Sequence, residues 1–160
     1  MKINLSRIDD RLIHGQVTTV WTREANAERI IVISDEVAKD EMRKTLLKQA
    51  APPGVKVNIV DVDKAVRVYN NPKYADTTVF LLFVNPIDVL NVVKAGLPLK
   101  EINIGGMAYR DGRKQITKSI SVSEEEIKAF KELNDLGVYL DLRVVYSDSS
   151  QDFMNKLKEI

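Results

Sequence analysis

Short runs rich in β-branched and aromatic residues alternate with longer amphipathic segments along nearly the whole chain. This alternation is typical of a parallel sheet that is covered on both faces by helices. We therefore predict an α/β fold with a mostly parallel central sheet of about seven strands. The segment Thr78–Val84 is apolar without alternation, which predicts a strand buried on both faces inside that sheet.

The same alternation assigns approximate bounds to each element. The predicted strands are Lys2–Ile8, Arg29–Ser34, Lys56–Val60, Thr78–Val84, Glu101–Ile104, Ile116–Val122 and Tyr139–Val145. The predicted helices are Gly15–Ala25, Asp35–Ala50, Asp63–Asn70, Pro86–Ala95, Glu124–Leu136 and Ser150–Lys158. Two helix starts carry recognisable signals. Asn85 offers a cap before Pro86, and Ser123 with Glu126 has the spacing of a capping box.

Length and charge limit the class of protein. A hydrophobic content of 44% in 160 residues suffices for one core, so residues 1–160 are predicted to form a single domain. The net charge of +1 provides no overall field that would attract nucleic acid or an anionic membrane. The apolar stretch at the start of the chain is too short for a signal peptide. No later run reaches the ~18 apolar residues that a membrane span requires. We therefore expect a cytosolic location.

The residue types that are missing exclude several chemistries. The chain has no cysteine, which excludes disulfides, thiolate nucleophiles and iron–sulfur clusters. It has one histidine, so carboxylates would be the main metal ligands, and zinc is not expected. A magnesium ion that arrives with a phosphate remains compatible with such ligands. We predict no resident metal and no cofactor.

The single histidine, His14, lies where the first predicted strand gives way to the first predicted helix. Parallel α/β proteins perform their chemistry at the carboxyl ends of their strands, beside helix N-termini whose free N–H groups attract anions. A neutral imidazole keeps one nitrogen lone pair for attack on phosphorus. The position therefore suits a phosphoryl acceptor.

The residues around His14 offer partners for this role. Arg7, Arg11 and the first N–H groups of the helix near Gly15 could donate to a phosphoryl group. Asp9 is our first choice to bond the second ring nitrogen and fix its tautomer. In the competing interpretation, His14 is a structural loop residue bonded to a backbone carbonyl, and the arginines form surface ion pairs. The residues alone leave both interpretations open.

Asp10, by contrast, is expected to cap or form an ion pair within the loop rather than to orient the ring. The longest predicted loop, Gly105–Lys114, begins with two glycines that precede Met107. Glycines let an anion approach the main chain, so this segment either forms a rim of the site or is a tight turn packed by Met107. Its basic residues, Arg110, Arg113 and Lys114, either dock an acidic partner or form a solvated loop, and the solvated loop is the favoured interpretation.

Two aromatic residues also lie near the predicted site. Trp21 falls within the first predicted helix and is expected in the core, while an exposed Tyr109 would suit a partner surface. Neither is placed among the catalytic residues.

Three segments resemble a known family. The first is Arg7-Ile8-Asp9-Asp10-Arg11-Leu12-Ile13-His14-Gly15-Gln16-Val17 with Trp21, the second is Ile33–Asp40, and the third is Ile104–Met107. Together they closely resemble the IIB component of the mannose–fructose–sorbose class of the bacterial phosphoenolpyruvate-dependent sugar phosphotransferase system. The resemblance spans essentially the whole chain. Ser34 departs from it, because most relatives are expected to carry asparagine there.

The resemblance implies a phosphocarrier. His14 would take a phosphoryl group from a IIA phosphohistidine on Nδ1, the pros nitrogen, and pass it to a sugar held by the membrane components IIC and IID. This is the activity of a protein-Nπ-phosphohistidine–sugar phosphotransferase. The resemblance also implies that the protein is peripheral to the inner face of the membrane, through its permease partners. Asp9 and Arg11 match motif positions around the histidine, and we assign them catalytic roles. The oligomeric state is left open.

Four motif residues are assigned to phosphate binding on the same physical grounds. They are Arg7, Arg11, Gly15 and Gln16. Each is a side-chain donor or lies at the first turn of the helix that begins beside His14.

A phospho-aspartate receiver domain is the alternative function. Asp9 and Asp10 follow the first predicted strand and Asp61 follows the third, as an acidic pocket around an acceptor aspartate requires. However, Gly105–Met107 stands where a receiver needs a lysine. A dinucleotide-binding module is disfavoured because no Gly-x-Gly-x-x-Gly follows the first strand, and nucleic-acid binding lacks a basic stripe with interleaved aromatics.

Overall fold

The computed structural model describes residues 1–159, with Gln16 and Val17 described by their backbone alone. The strands are β1 Lys2–Asp9, β2 Arg29–Ile33, β3 Lys56–Val60, β4 Thr78–Phe83, β5 Glu101–Gly106, β6 Lys114–Gln115, β7 Ser121–Val122, β8 Tyr139–Leu142 and β9 Gln151–Asp152. The helices are α1 Gly15–Ala25, α2 Asp35–Ala38, α3 Glu41–Gln49, α4 Val62–Tyr69, α5 Pro86–Lys94, α6 Glu124–Asp135 and α7 Phe153–Leu157, with a 3-10 turn at Pro72–Tyr74.

Within residues 1–159, seven strands form one sheet in the order β3-β2-β4-β1-β5-β8-β9. All neighbouring pairs are parallel except β8 and β9. The predicted α/β fold with a mostly parallel sheet is therefore confirmed. β4 lies between β2 and β1, as its continuous apolar run predicted.

Alternate residues of strands β2 and β4 enter two different cores. Ile31 and Ile33 of β2 pack in a cluster with α4 to α7, whereas Ile30 and Val32 pack with α1 to α3. This is the two-residue period of a strand buried on both faces. One helical layer thus covers each face, and β1 runs through the centre between them.

Several helix ends match the sequence signals. Asn85 Oδ1 accepts hydrogen bonds from the backbone N–H of Ile87 and Asp88, at 2.9 and 3.0 Å. Ser123 and Glu126 exchange both bonds of a capping box. Helix α1 has the predicted bounds. These ends depend on local chemistry, which is why the sequence revealed them.

The predicted helix Asp35–Ala50 is wrong in one respect, because two helices replace it. α2 ends at Ala38, and α3 begins at Glu41. Asp40 takes an extended conformation, and its carboxylate accepts from Arg43 N at 3.0 Å. An aspartate that caps a new helix cannot continue the old one.

The predicted strand Ile116–Val122 is also wrong. A turn joins Thr117 to Ile120, and the flanking residues form the small hairpin of β6 and β7 outside the main sheet. The seventh strand of the sheet is instead β9, which pairs antiparallel with β8. The last helix accordingly begins at Phe153 rather than Ser150, with Asp152 as its cap.

This topology determines where the functional residues meet. β1 and β5 are parallel neighbours, so their carboxyl ends lie at the same edge of the sheet, beside the start of α1. None of the helices within residues 1–159 is long and apolar enough to cross a membrane.

Candidate phosphoryl-acceptor site

His14 is the N-cap residue of α1, in an extended conformation. Its backbone N–H donates to Thr18 Oγ1 at 3.1 Å, and that hydroxyl donates to Leu12 O at 3.2 Å. Leu12 is fully buried although its φ is +60°, a left-handed conformation that leucine rarely adopts. The loop before α1 is therefore held in one conformation by a core side chain and a threonine.

The His14 ring bonds to Asp9, as predicted. His14 Nε2 lies 3.0 Å from Asp9 Oδ2, and the histidine side chain is 23% exposed. An ionised carboxylate has no proton to donate, so Nε2 carries the hydrogen and Nδ1 of a neutral ring keeps its lone pair. The ring is thus set in the tautomer that an Nδ1 nucleophile requires.

Asp9 is 1% exposed and surrounded by donors. Arg7 Nη2 donates to it at 3.1 Å, Arg11 Nε at 3.3 Å, and Arg11 N at 3.1 Å. Burial alone would raise the pKa of Asp9, but the hydrogen bond from His14 and the charge of Arg7 hold that pKa below its ordinary value. The carboxylate therefore stays ionised and remains an acceptor for the ring.

Arg7 has a different position from the one the sequence predicted. Its guanidinium is buried, and besides Asp9 it donates to Asn103 Oδ1 at 2.6 Å and to the carbonyls of Arg143 and Val144 at 3.2 and 3.0 Å. The face of Trp21 lies 4.7 Å from its Cζ. Burial lowers the pKa of Arg7, and the Asp9 charge opposes this shift. This placement does not suit direct contact with a phosphoryl group.

The two glycines after Ile104 make space for this pair. A Cβ at Gly105 would overlap the Arg7 guanidinium, and one at Gly106 would lie 3.0 Å from Asp9 Oδ1. The register of β1 and β5 shifts here, with Gly105 as the extra residue. The segment is therefore neither a rim nor a tight turn: it is the end of β5, against which Arg7 and Asp9 lie. Met107 is buried, as one interpretation predicted.

Two of the remaining predicted phosphate donors, Arg11 and Gly15, are exposed and lie near His14 along the chain. The Arg11 side chain is 56% exposed, so its guanidinium has free access to a ligand while Nε contacts Asp9. Gly15 begins α1 at a φ of +46° and precedes the free N–H groups of the first turn. The side chain of Gln16 lies outside the described residues.

Asp10 forms ion pairs, as predicted, but its partners lie in the loop between β5 and β6 rather than in its own loop. Its Oδ2 accepts from Ala108 N at 2.7 Å and lies 3.4 Å from Arg113 Nη1. Arg113 also forms a two-pronged bond with Glu126, at 2.9 and 2.8 Å. The prediction that this loop is solvated is therefore wrong for Arg113. Its side chain is buried and forms ion pairs with Asp10 and Glu126. Tyr109 is exposed.

Sequence reasoning missed the residues behind Arg7. Asn103 donates to the carbonyls of Asp141 and Arg143, at 3.2 and 3.1 Å, while its oxygen holds Arg7. Trp21 is buried as expected, but its ring lies against Arg7 and Arg143 rather than in a purely apolar core. One signal was available. An asparagine between two isoleucines in a central strand needs buried hydrogen-bond partners.

Another group of acidic residues lies at the carboxyl ends of β2 and β4. Ser34 caps α2 by accepting from Val37 N at 3.1 Å, so this residue has a local structural role. Asp88 is 9% exposed in the first turn of α5. Burial, with the charges of Asp35 and Glu36, raises its pKa to about 6.

Asp61 lies apart from Asp9 and Asp10 in the sheet. It caps α4 through a bond from Lys64 N at 2.7 Å, at the end of edge strand β3. Two strands separate β3 from β1, so Asp61 does not join Asp9 and Asp10. The acidic pocket of a receiver domain is therefore not assembled.

The chain is similar in sequence to known proteins. Residues 3–160 match the family described as "PTS system sorbose subfamily IIB component". The chain is 60% identical to the "PTS system sorbose-specific EIIB component" of Lacticaseibacillus casei, covering all of this chain and 98% of that protein. It is 54% identical to the "PTS system mannose-specific EIIAB component" of Escherichia coli (strain K12), covering all of this chain and 50% of that protein.

A solved structure extends the likeness to the fold. The IIBSor domain of the sorbose permease from Klebsiella pneumoniae superposes with a TM-score of 0.97 at 60% identity, covering 99% of this chain and 98% of that one. The fold and site thus define a phosphotransferase component of bacterial sugar transport. The chain belongs to the sorbose-subfamily IIB components of the mannose-class sugar phosphotransferase system.

Proposed function

We propose that His14 is a temporary phosphoryl carrier. In the first step, its Nδ1 attacks the phosphorus of a IIA phosphohistidine, and the donor P–N bond breaks as the new P–N bond forms. In the second step, a hydroxyl of a sugar held by IIC and IID attacks the same phosphorus. The P–N bond to His14 then breaks, and the hydroxyl proton leaves to the surroundings.

The observation that carries this proposal is the 3.0 Å contact between His14 Nε2 and Asp9 Oδ2. With Asp9 ionised, this contact supports a ring that carries its proton on Nε2 and offers the Nδ1 lone pair as the nucleophile. Phosphoryl transfer depends mainly on in-line positioning and charge stabilisation, and transfer between two histidines exchanges similar bonds. A ring that is oriented and partly exposed meets both needs.

The neighbouring residues then take distinct roles. Asp9 orients the ring, and Arg11 with the N–H groups that follow Gly15 stabilises the bound phosphoryl group. Arg7 becomes a positioning residue, because it holds Asp9 and is itself buried. Gln16 remains a predicted phosphate donor.

The partners follow from the family. We propose a IIA protein or domain as donor and membrane IIC and IID components as acceptor complex, which would bring this chain to the inner face of the membrane. The fusion of both parts in the "EIIAB" relative supports the first pairing. Sugar choice would lie with the membrane components.

Labelling by phosphorylated IIA tests the carrier role. The wild-type chain should take up one phosphoryl group, stable in alkali and labile in acid, and His14→Ala should take up none. The control is Thr19→Ala, which changes an exposed hydroxyl one turn away and should label fully. Mapping the modified atom should give Nδ1.

Two results would contradict the proposal. Stoichiometric labelling of folded His14→Ala would remove the histidine from the reaction. A label that is hydrolysed by acid and by alkali alike would indicate an acyl phosphate and restore the aspartate alternative.

A further inference from the structure

A cavity of about 320 Å³ lies at the β3 edge of the sheet, away from His14. It reaches Met1 and Arg29, at the amino ends of β1 and β2, whereas His14 follows the carboxyl end of β1. Strands β2 and β4 separate its edge strand from β1. The cavity is therefore distinct from the phosphoryl-acceptor site.

Apolar side chains line one part of this cavity. Ile31, Val60 and Val79 line it from the sheet, and Ala65 and Val68 line it from α4. Apolar lining favours a ligand with a hydrophobic body, because such a ligand removes its own surface and that of the lining from water.

The charged lining is of one sign. Arg29, Lys44, Lys48 and Lys64 line the cavity, and its lining within the described residues includes no aspartate or glutamate. Lys44 has an ion pair with Glu41 at 3.4 Å, but that carboxylate is 86% exposed and outside the lining. The cavity concentrates positive charge in a chain whose net charge is only +1, and such a concave surface attracts anions.

Arg29 is the lining residue that most specifically favours an anionic ligand. It is half-buried, and within the described part of the chain its guanidinium donates to the amide oxygen of Asn58. The guanidinium groups of Arg113 and Arg143, which are also withdrawn from solvent, each bond a carboxylate at 2.8 Å. A withdrawn guanidinium is best satisfied by an anion.

We propose that this cavity binds a small organic anion, in which a carboxylate, sulfonate or phosphate group is joined to an apolar body. The anionic group contacts Arg29 and the lysines, and the body covers Ile31, Val79 and Ala65. This ligand site is independent of phosphoryl transfer at His14.

A pair of probes that differ in charge tests the proposal. The ¹⁵N-labelled full-length chain is titrated with 2-naphthoate and with the neutral 2-naphthalenemethanol, and amide shifts are followed by NMR. We expect 2-naphthoate to shift the amides of Ile31, Ala65 and Val79, and to bind at least about tenfold more tightly than the alcohol, a difference of about 1.4 kcal/mol. Equal affinity of the two probes, or shifts elsewhere only, would overturn the proposal.

Three variants identify the charges that matter. Arg29→Gln and Lys64→Gln should each weaken 2-naphthoate binding by about tenfold. Lys131→Gln, which removes an exposed charge on α6, should leave it unchanged. Unchanged affinity in folded Lys64→Gln would refute the anion site even if Arg29→Gln fails to fold.

Phosphoryl transfer provides the separate readout. Labelling of Lys64→Gln by phosphorylated IIA should equal that of the wild type, because Lys64 lies outside the His14 site. A loss of labelling in this variant would contradict the independence of the two sites, whereas failure of labelling in every protein would affect the proposed function alone.

Discussion

Two buried aspartates near the carboxyl ends of parallel strands show opposite acid–base behaviour. Asp9 is 1% exposed and Asp88 is 9% exposed, so burial acts against the ionised form of both. The pKa of Asp9 is nevertheless lowered, whereas that of Asp88 is raised to about 6. The difference lies in their neighbours. Asp9 meets His14, Arg7 and Arg11, while the charges acting on Asp88 belong to Asp35 and Glu36.

This comparison shows that position at the sheet edge does not by itself produce an ionised acceptor. The edge supplies burial and nearby helix starts at both places. What makes Asp9 a fixed partner for a histidine is the pair of arginines, one buried and one exposed.

The largest effect is expected from Asp9→Asn. It removes the carboxylate opposite a buried guanidinium, and an unpaired buried charge costs about 3–5 kcal/mol of unfolding free energy. Urea denaturation at pH 7 measures this loss. The control is Asp76→Asn, since Asp76 forms an exposed ion pair with Lys2 at 3.7 Å and its loss should cost less than about 1 kcal/mol.

The pH dependence of Asp9→Asn gives a second check. Because the folded pKa of Asp9 is below its ordinary value, its ionised form stabilises the wild type above that value, and this stability is lost as pH falls through the folded pKa. The gap between wild type and variant should therefore narrow in acid. A gap that is constant from pH 7 to pH 3 would contradict the ion-pair account.

Gly105→Ala should have the next largest effect. The added methyl group overlaps the Arg7 guanidinium, so we expect a loss of about 2–3 kcal/mol, as for overpacked cores, together with slower phosphoryl transfer. Gly106→Ala is the matched variant, since its methyl group meets Asp9 at 3.0 Å and requires a smaller shift. Thermal unfolding of both variants measures the loss of stability. A larger loss in Gly106→Ala than in Gly105→Ala would refute this account.

Asp88→Asn should stabilise the protein above neutral pH. With a folded pKa of about 6, above the ordinary 3.8, the wild type loses stability as pH rises between these values, and the neutral amide does not. We expect the unfolding free energy to rise by about 1–2 kcal/mol at pH 8. This net figure includes the loss of a favourable carboxylate at a helix N-terminus. The gain should vanish below pH 4. Urea denaturation at both pH values decides, and a gain of equal size at pH 3.5 would exclude the titration of Asp88 as its cause.

Arg11→Ala should change stability least. Its side chain is 56% exposed, so the unfolding free energy should move by no more than about 0.5 kcal/mol. Phosphoryl transfer from IIA should nevertheless slow by about 10- to 100-fold, because a charged donor to the phosphoryl group is lost. Arg23→Ala removes the same charge from the exposed far end of α1 and should transfer at the wild-type rate. Equal rates in the two variants would contradict the role of Arg11.

The sequence predicted the features that depend on residues close together in the chain. These features are the bounds of α1, the caps at Asn85 and Ser123, and the bond between Asp9 and His14. Such features depend on spacing and donor type, which a single sequence displays. The parallel sheet was predictable because short β-rich runs alternate with longer amphipathic segments along the chain.

What the sequence did not predict depends on distant partners. Arg7 was assigned to phosphate because its buried acceptors, Asn103 and the Arg143 carbonyl, lie 96 and 136 residues away. The sequence places Arg113 in solvent because its contacts with Glu126 and Asp10 form only when the chain folds. The short strand β9 has no pattern of its own and exists because β8 offers an edge.

The two glycines at the end of β5 have a consequence for anyone who would move this centre elsewhere. Grafting residues 7–16 onto the first strand of another parallel sheet would transfer the histidine, its carboxylate and both arginines. The recipient's neighbouring strand would still carry side chains where Gly105 and Gly106 present only hydrogen atoms. A working transplant must therefore bring a complementary pair of strands, and the contiguous motif is only half of it.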